Sequence, residues 1–166
     1  MKVFIGNYPK KSGERKVRVE ISNHDTWSLD NTLAYVIHPA LVKLRDAKAG
    51  SPFVDDEDVP ENLRRAAAPP TENEWETDDN FHARWQWVLD EMIFAFEMKN
   101  TDWEDQFWKR YPKLDFKDYP EDEGQDFKPV RWEDEGDCDR DARRKFEERI
   151  QNGFRLFGKY YQALWT

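Results

Sequence analysis

The chain has one cysteine, Cys138, in 166 residues. No internal disulfide can form, and a cysteine-built zinc site lacks its partners, so a reducing cytosol is the expected setting. Histidine is scarce too, at three, and no HExxH occurs. No stretch approaches eighteen apolar residues, and the opening MKVFIGNYPKK has no apolar signal core, so neither membrane spanning nor export is expected. Positive charge is in deficit: 26 Lys+Arg against 35 Asp+Glu give −9. That balance disfavours sequence-independent attraction to nucleic acid or anionic lipid, and neither is expected as a direct partner. No established catalytic motif and no internal repeat is present, and neither a cofactor nor a resident metal is expected.

Aromatic residues are plentiful: eight tryptophans, six tyrosines and eleven phenylalanines. With 38% hydrophobic and 37% charged residues, composition alone leans toward disorder, but these large side chains bury enough area each to close a core. A chain of this length fits one ordinary domain, residues 1–166.

Val3, Phe4 and Ile5, then Val17, Val19 and Ile21 alternating with Lys16, Arg18 and Glu20, predict a hairpin with one buried face. Its linker, NYPKKSGER, is too long for a two-residue turn. From Ser28 to Lys48, Leu29, Leu33, Val36, Ile37, Leu41 and Leu44 fall at helical steps, with Asp25, Thr26 and Ser28 as candidate caps. Pro39 inside that stretch predicts a kink or break near His38.

A second helix is predicted to open at Thr77, Asp78 and Asp79, with Phe81, Trp85, Val88, Met92, Ala95 and Phe96 on its stripe. Trp87, Leu89, Ile93 and Phe94 widen that stripe and place the helix near the centre of the fold. Residues 111–136 read as irregular, pinned by Tyr111, Phe116, Tyr119, Phe127 and Trp132. A last helix runs from about Asp139 to Trp165, where Gly153 and Gly158 each imply a bend or a backbone in close approach. The expected fold is α+β and α-rich: an N-terminal β-hairpin packed on about three main helices, with a long irregular acidic segment.

Charge is distributed unevenly. Residues 1–49 hold nine cations and five anions, residues 50–140 eleven and twenty-seven, and residues 141–166 six and three. An acidic middle between mildly basic ends pairs with them inside the monomer or across a homo-oligomer interface; composition leaves both open.

Four stretches, DTWSLDNTLAYVIHPAL from Asp25, GSPFVDDEDVP from Gly50, WQWVLDEMIFAFE from Trp85 and NGFRLFGKYYQALW from Asn152, together resemble a family of small uncharacterised proteins of tailed bacteriophages. The resemblance implies a viral origin and the bacterial host cytoplasm. It brings no assigned activity or catalytic residue.

Among candidate sites, the acidic runs with aromatic neighbours, Asp55, Asp56, Glu57 and Asp58 and then Trp75 and Glu76, form a surface that could engage a host protein. The plainer reading is a solvated acidic face. The alternative is a nucleotide ligand held by Arg144, Arg155, Lys159 and Tyr160 of the basic last helix, with Lys16 and Arg18 as further contributors, since arginines fork onto phosphates and rings stack on bases. There the plainer reading is that these cations answer the acidic middle. A weaker alternative is a metal-dependent hydrolase using His82 with Asp78, Asp79 or Glu97, or the carboxylates from Asp55 to Asp58, although the latter run lacks the glycine and final glutamate of an EF-hand loop and His82 reads more simply as paired to Asp78.

Asp90 and Glu91 are expected to be partly buried in a structural ion pair with Arg84 or the C-terminal arginines. Of Trp27, Trp75, Trp103, Trp108 and Trp132, most are expected to pin loops, with one or two exposed. The expected function is non-enzymatic: a phage-encoded accessory protein that engages a host macromolecule, plausibly to blunt a defence or nucleic-acid enzyme, through its acidic, aromatic-rich surface.

Overall fold

Helical periodicity in the apolar residues becomes the frame of the molecule. The computed structural model describes residues 1–7, 13–73, 75–114 and 132–165. Strands β1 (Lys2–Ile5) and β2 (Val17–Glu20) precede α1 (Asn23–Trp27) and α2 (Leu29–Ala47). Three single 3-10 turns, Asp56–Asp58, Glu61–Leu63 and Arg65–Ala67, lead to α3 (Phe81–Met98). After a 3-10 segment at Trp103–Phe107 come β3 (Trp108–Arg110), β4 (Lys113–Leu114), β5 (Trp132–Asp134), β6 (Asp137–Cys138) and α4 (Arg140–Lys159). The chain is α+β and α-rich. Among the described residues, no helix is long and apolar enough to cross a membrane.

The described residues gather into two compact units, Met1–Thr101 with Ile150–Thr166, and Asp102–Arg149. In the first, α2 packs on α3, and the core joins Ala34 and Leu41 of α2, Val54 and Val59 of the 3-10 region, Leu156 of α4 and Tyr160 just beyond it. Trp85, Val88, Leu89, Met92, Ile93 and Phe96 of α3 complete that core, so α3 is central. It begins at Phe81, later than Thr77, because Asp78 and Asn80 are occupied in the turn before it: Asp78 Oδ1 accepts the Asn80 N–H at 2.9 Å. Helix α2 continues through Pro39, so of the expected kink or break near His38 the break does not occur. Proline removes one hydrogen bond, and the buried residues Ala34 and Leu41 on either side hold the helix to the core.

Gly153 shows which of its two expected roles applies. A Cβ there would lie 2.4 Å from the Glu91 carbonyl oxygen and 2.5 Å from Ala95 Cβ, so its bare backbone is what lets α4 lie against α3. Among the described residues, nothing beyond Gly158's own chain neighbours and helical backbone lies within 4 Å of a Cβ built there.

The hairpin forms with Lys2 opposite Glu20, Val3 opposite Val19, Phe4 opposite Arg18 and Ile5 opposite Val17. Its expected buried face is absent: all eight strand residues are exposed, Val3 by 42% and Val17 by 62%. The core is built from α2, α3, the end of α4 and the 3-10 region, with Leu29, Leu33 and Val36 of the expected α2 stripe left exposed, and the hairpin keeps its own cross-strand pairs.

In the second unit, Trp103 stacks on Phe146 at 5.3 Å between ring centroids, and Arg143 pairs with Glu104 at 2.7 Å. The stretch expected to be irregular, 111–136, carries order near its ends, where β4 pairs with β5, and just outside it β3 pairs with β6, both antiparallel. Gly136 makes the turn between β5 and β6 at φ +73°, a left-handed conformation that favours glycine. Of the expected pins, Tyr111 is exposed but stacks on Trp108 at 5.6 Å, Trp132 is exposed, and Phe116, Tyr119 and Phe127 lie outside the described residues.

Candidate functional site

The two sets of charges singled out in the sequence meet each other. Arg155 and Lys159 stand one helical turn apart on α4, with Tyr160 next, so the three reach the same neighbours. Those neighbours are the acidic 3-10 turn. Asp58, with only 1% of its side chain exposed, pairs through Oδ1 with Arg155 Nη2 at 2.7 Å and through Oδ2 with Lys159 Nζ at 2.6 Å. The Tyr160 hydroxyl donates to Asp58 Oδ2 at 2.6 Å and accepts the Asp55 N–H at 3.0 Å. Lys159 Nζ also reaches Asp55 Oδ2 at 2.9 Å and Glu57 Oε1 at 3.1 Å. Oxygens of Asp55, Glu57 and Asp58 lie within 4.8 Å of one another, close enough to share a cation, and the Lys159 ammonium is that cation.

Burial pushes the Asp58 carboxyl up, but the Lys159, Tyr160 and Arg155 donors outweigh it and hold the group below the usual carboxylate range. Asp55 and Asp58 raise the Lys159 ammonium. Burial, with help from Asp58, pushes the Tyr160 hydroxyl up to about 12. All three shifts lead away from neutrality, whereas a general acid or base works best near the ambient pH. The cluster therefore acts as a lock between the 3-10 turn and α4.

The other predicted residues divide. Asp56 is engaged internally: its Oδ1 accepts the Arg65 N–H at 3.0 Å and orders the third 3-10 turn. Glu76 is exposed and accepts from Asn73 Nδ2 at 2.8 Å. Trp75 is 74% exposed. Arg144 pairs along its own helix, with Asp141 at 3.3 Å and Glu148 at 4.0 Å.

His82 is not paired to Asp78; its Nδ1 lies 2.9 Å from Ser51 Oγ. Asp78 instead grips the buried Arg84 through two oxygens, at 3.0 and 2.6 Å, and the Leu63 carbonyl accepts a further hydrogen bond from Arg84 Nη1 at 3.0 Å. The Arg84 guanidinium holds Asp78 below the usual carboxylate range. Asp90 pairs with Arg45 at 3.2 Å, not with Arg84 or the C-terminal arginines, and Glu91 is buried. Three of the five tryptophans, Trp27, Trp75 and Trp132, are exposed, more than expected.

Sequence reading missed Phe53. Its ring is 77% exposed although it meets Phe81 edge-on at 5.4 Å, and Phe81 in turn meets His82 at 5.3 Å. The available signal was an aromatic residue in an aperiodic stretch, between Pro52 and the DDED run. Phe53 thus stands three residues before the acidic turn, where the Asp55 and Glu57 side chains remain 61% and 77% exposed.

Comparison with protein-family models, curated proteins and solved structures finds no match.

Proposed function

We propose that this chain is a non-enzymatic binding protein, a phage-encoded accessory factor that engages a host macromolecule through an acidic surface with aromatic anchors. The observation that carries the reading is Phe53: a large apolar ring left in solvent two residues before Asp55, on the segment that Asp58 ties to Tyr160, where the mostly exposed Asp55 and Glu57 share the Lys159 ammonium and present their remaining oxygens outward. Rigid exposed aromatics gain contact area at low rotamer cost, and flanking charge steers the encounter. Trp75 and Glu76, in the loop before α3, repeat the same chemistry. The resemblance to phage proteins supplies the host setting.

The nucleotide alternative on the last helix has less support. Arg155, Lys159 and Tyr160 are bound to carboxylates, and Arg144 to its own helix, so a phosphate there would have to displace internal ion pairs.

The test is affinity capture from bacterial lysate with the wild type, Phe53→Ser, Trp75→Ser and Arg144→Ala. A partner retained by wild type and Arg144→Ala, lost with either aromatic variant and released by salt, is the expected result. Retention by all three variants as by the wild type would refute the surface.

A further inference from the structure

We propose that the charged face of the β1–β2 hairpin is a nucleotide site, with Phe4 as the stacking platform and Lys2, Lys16 and Arg18 as the phosphate contacts. The inference rests on a different part of the fold from the acidic surface. Register places Phe4 opposite Arg18 and Lys2 opposite Glu20, and alternation along each strand sends these side chains to the same side, away from Val3, Ile5, Val17 and Val19. Lys16, just before β2, belongs to that side as well: its carbonyl accepts the Gly6 N–H at 2.8 Å and closes the pair of strands.

The face lines an open concavity of about 740 Å³, bounded by Lys2, Phe4, Lys16, Arg18 and Glu20 with Val3 and Val17. That volume falls in the range of small-molecule sites, roughly 300–1,000 Å³. Three cations border it and one anion, Glu20, paired with Arg18, which leaves a surplus of two positive charges, carried by Lys2 and Lys16, and makes Arg18 a contact that a phosphate gains by exchange with Glu20. In a chain of net charge −9 this is a local reversal of sign. That local surplus attracts an anion.

Phe4 narrows the anion. Its ring is 62% exposed in the midst of these cations, which suits a ligand that carries a flat aromatic group and a phosphate together. Stacking of a base on an aromatic side chain contributes about 1–3 kcal/mol, whereas inorganic phosphate gains nothing from the ring. Such chemistry is offered by a free nucleotide or by one nucleotide of a single strand.

Titration of the full chain, followed by NMR shifts of the Lys2–Ile5 and Val17–Glu20 amides, tests the site with three probes: ADP, inorganic phosphate and a short oligothymidylate. ADP or the oligonucleotide should move these amides at concentrations where phosphate does not, and the tighter of the two identifies the source. Phe4→Leu should weaken binding about tenfold, the loss expected for one stacked base. Lys16→Glu should weaken it by a similar factor and flatten its salt dependence. Both positions are on an exposed face, so an unchanged Tm shows that the fold is intact. No shift with either nucleotide probe at millimolar concentration, equal response to phosphate, or binding indifferent to Phe4→Leu would overturn the proposal.

Discussion

Tyr160 donates its hydroxyl proton to Asp58 across 102 residues of chain, at 2.6 Å, and so ties the end of α4 to the acidic 3-10 turn. With Arg155 and Lys159 on the same carboxylate, this is where the acidic middle and the basic C-terminus neutralise one another. Removing the charge by Asp58→Asn leaves Lys159 and Arg155 without their buried partner, and should destabilise the fold by about 2–4 kcal/mol. Tyr160→Phe strands the Asp55 N–H and should cost about 1–2 kcal/mol. Urea melts followed by circular dichroism measure both, and two losses under about 0.5 kcal/mol would mean that the cluster contributes nothing to stability.

The pH profile should carry the same signature at both ends. Asp58 and Asp78 are held below their ordinary value, so their contribution is complete above the unfolded carboxylate pKa, near 4, and is lost as pH falls through the lower folded values. Tyr160 is shifted from 10.0 to about 12, so its contribution is complete below pH 10 and is lost as pH rises toward 12. Tyrosinate absorbance should show a late component that Tyr160→Phe removes. Tyr111, raised by the Asp105 carboxylate, delays part of the titration too, so the difference between the two proteins is the readout.

Two glycines of one helix should respond with opposite signs. Gly153→Ala puts a methyl 2.4 Å from the Glu91 carbonyl oxygen, and the overlap should destabilise by about 1–3 kcal/mol despite alanine's better helix propensity. Among the described residues, Gly158→Ala meets nothing beyond its own chain neighbours and helical backbone within 4 Å and should stabilise by up to about 1 kcal/mol. Equal Tm changes for the pair would contradict the close approach of α4 to α3.

Much of this fold is legible in the sequence because helical period is a local signal. The stripe from Phe81 to Phe96 marks the central helix, and Gly153 announces a close backbone without naming it. Partners are harder to read, since they depend on which distant surfaces meet. Asp55, Glu57 and Asp58 read as one site and Arg155, Lys159 and Tyr160 as another, while the structure joins them. Asp78 likewise belongs to Arg84 and not to His82, because a buried guanidinium needs a carboxylate more than an exposed imidazole does. The hairpin shows the opposite failure: alternation of Val17, Val19 and Ile21 specifies a face, but nothing local tells whether another element covers it.

Exposed anchors should matter for binding and not for folding. Phe53→Ser and Trp75→Ser remove rings that are mostly in water, so each should leave Tm within about 1 °C while Asp58→Asn lowers it by several degrees.

In the proposed function Phe53 is the anchor for a partner. The most direct measurement is a calorimetric titration of the partner recovered from lysate against wild type, Phe53→Ser and Arg144→Ala, at low and at physiological salt. Affinity that falls at least tenfold for Phe53→Ser, weakens with salt and is unchanged for Arg144→Ala is the predicted result. Equal affinity for wild type and Phe53→Ser, with the loss appearing in Arg144→Ala instead, would contradict it.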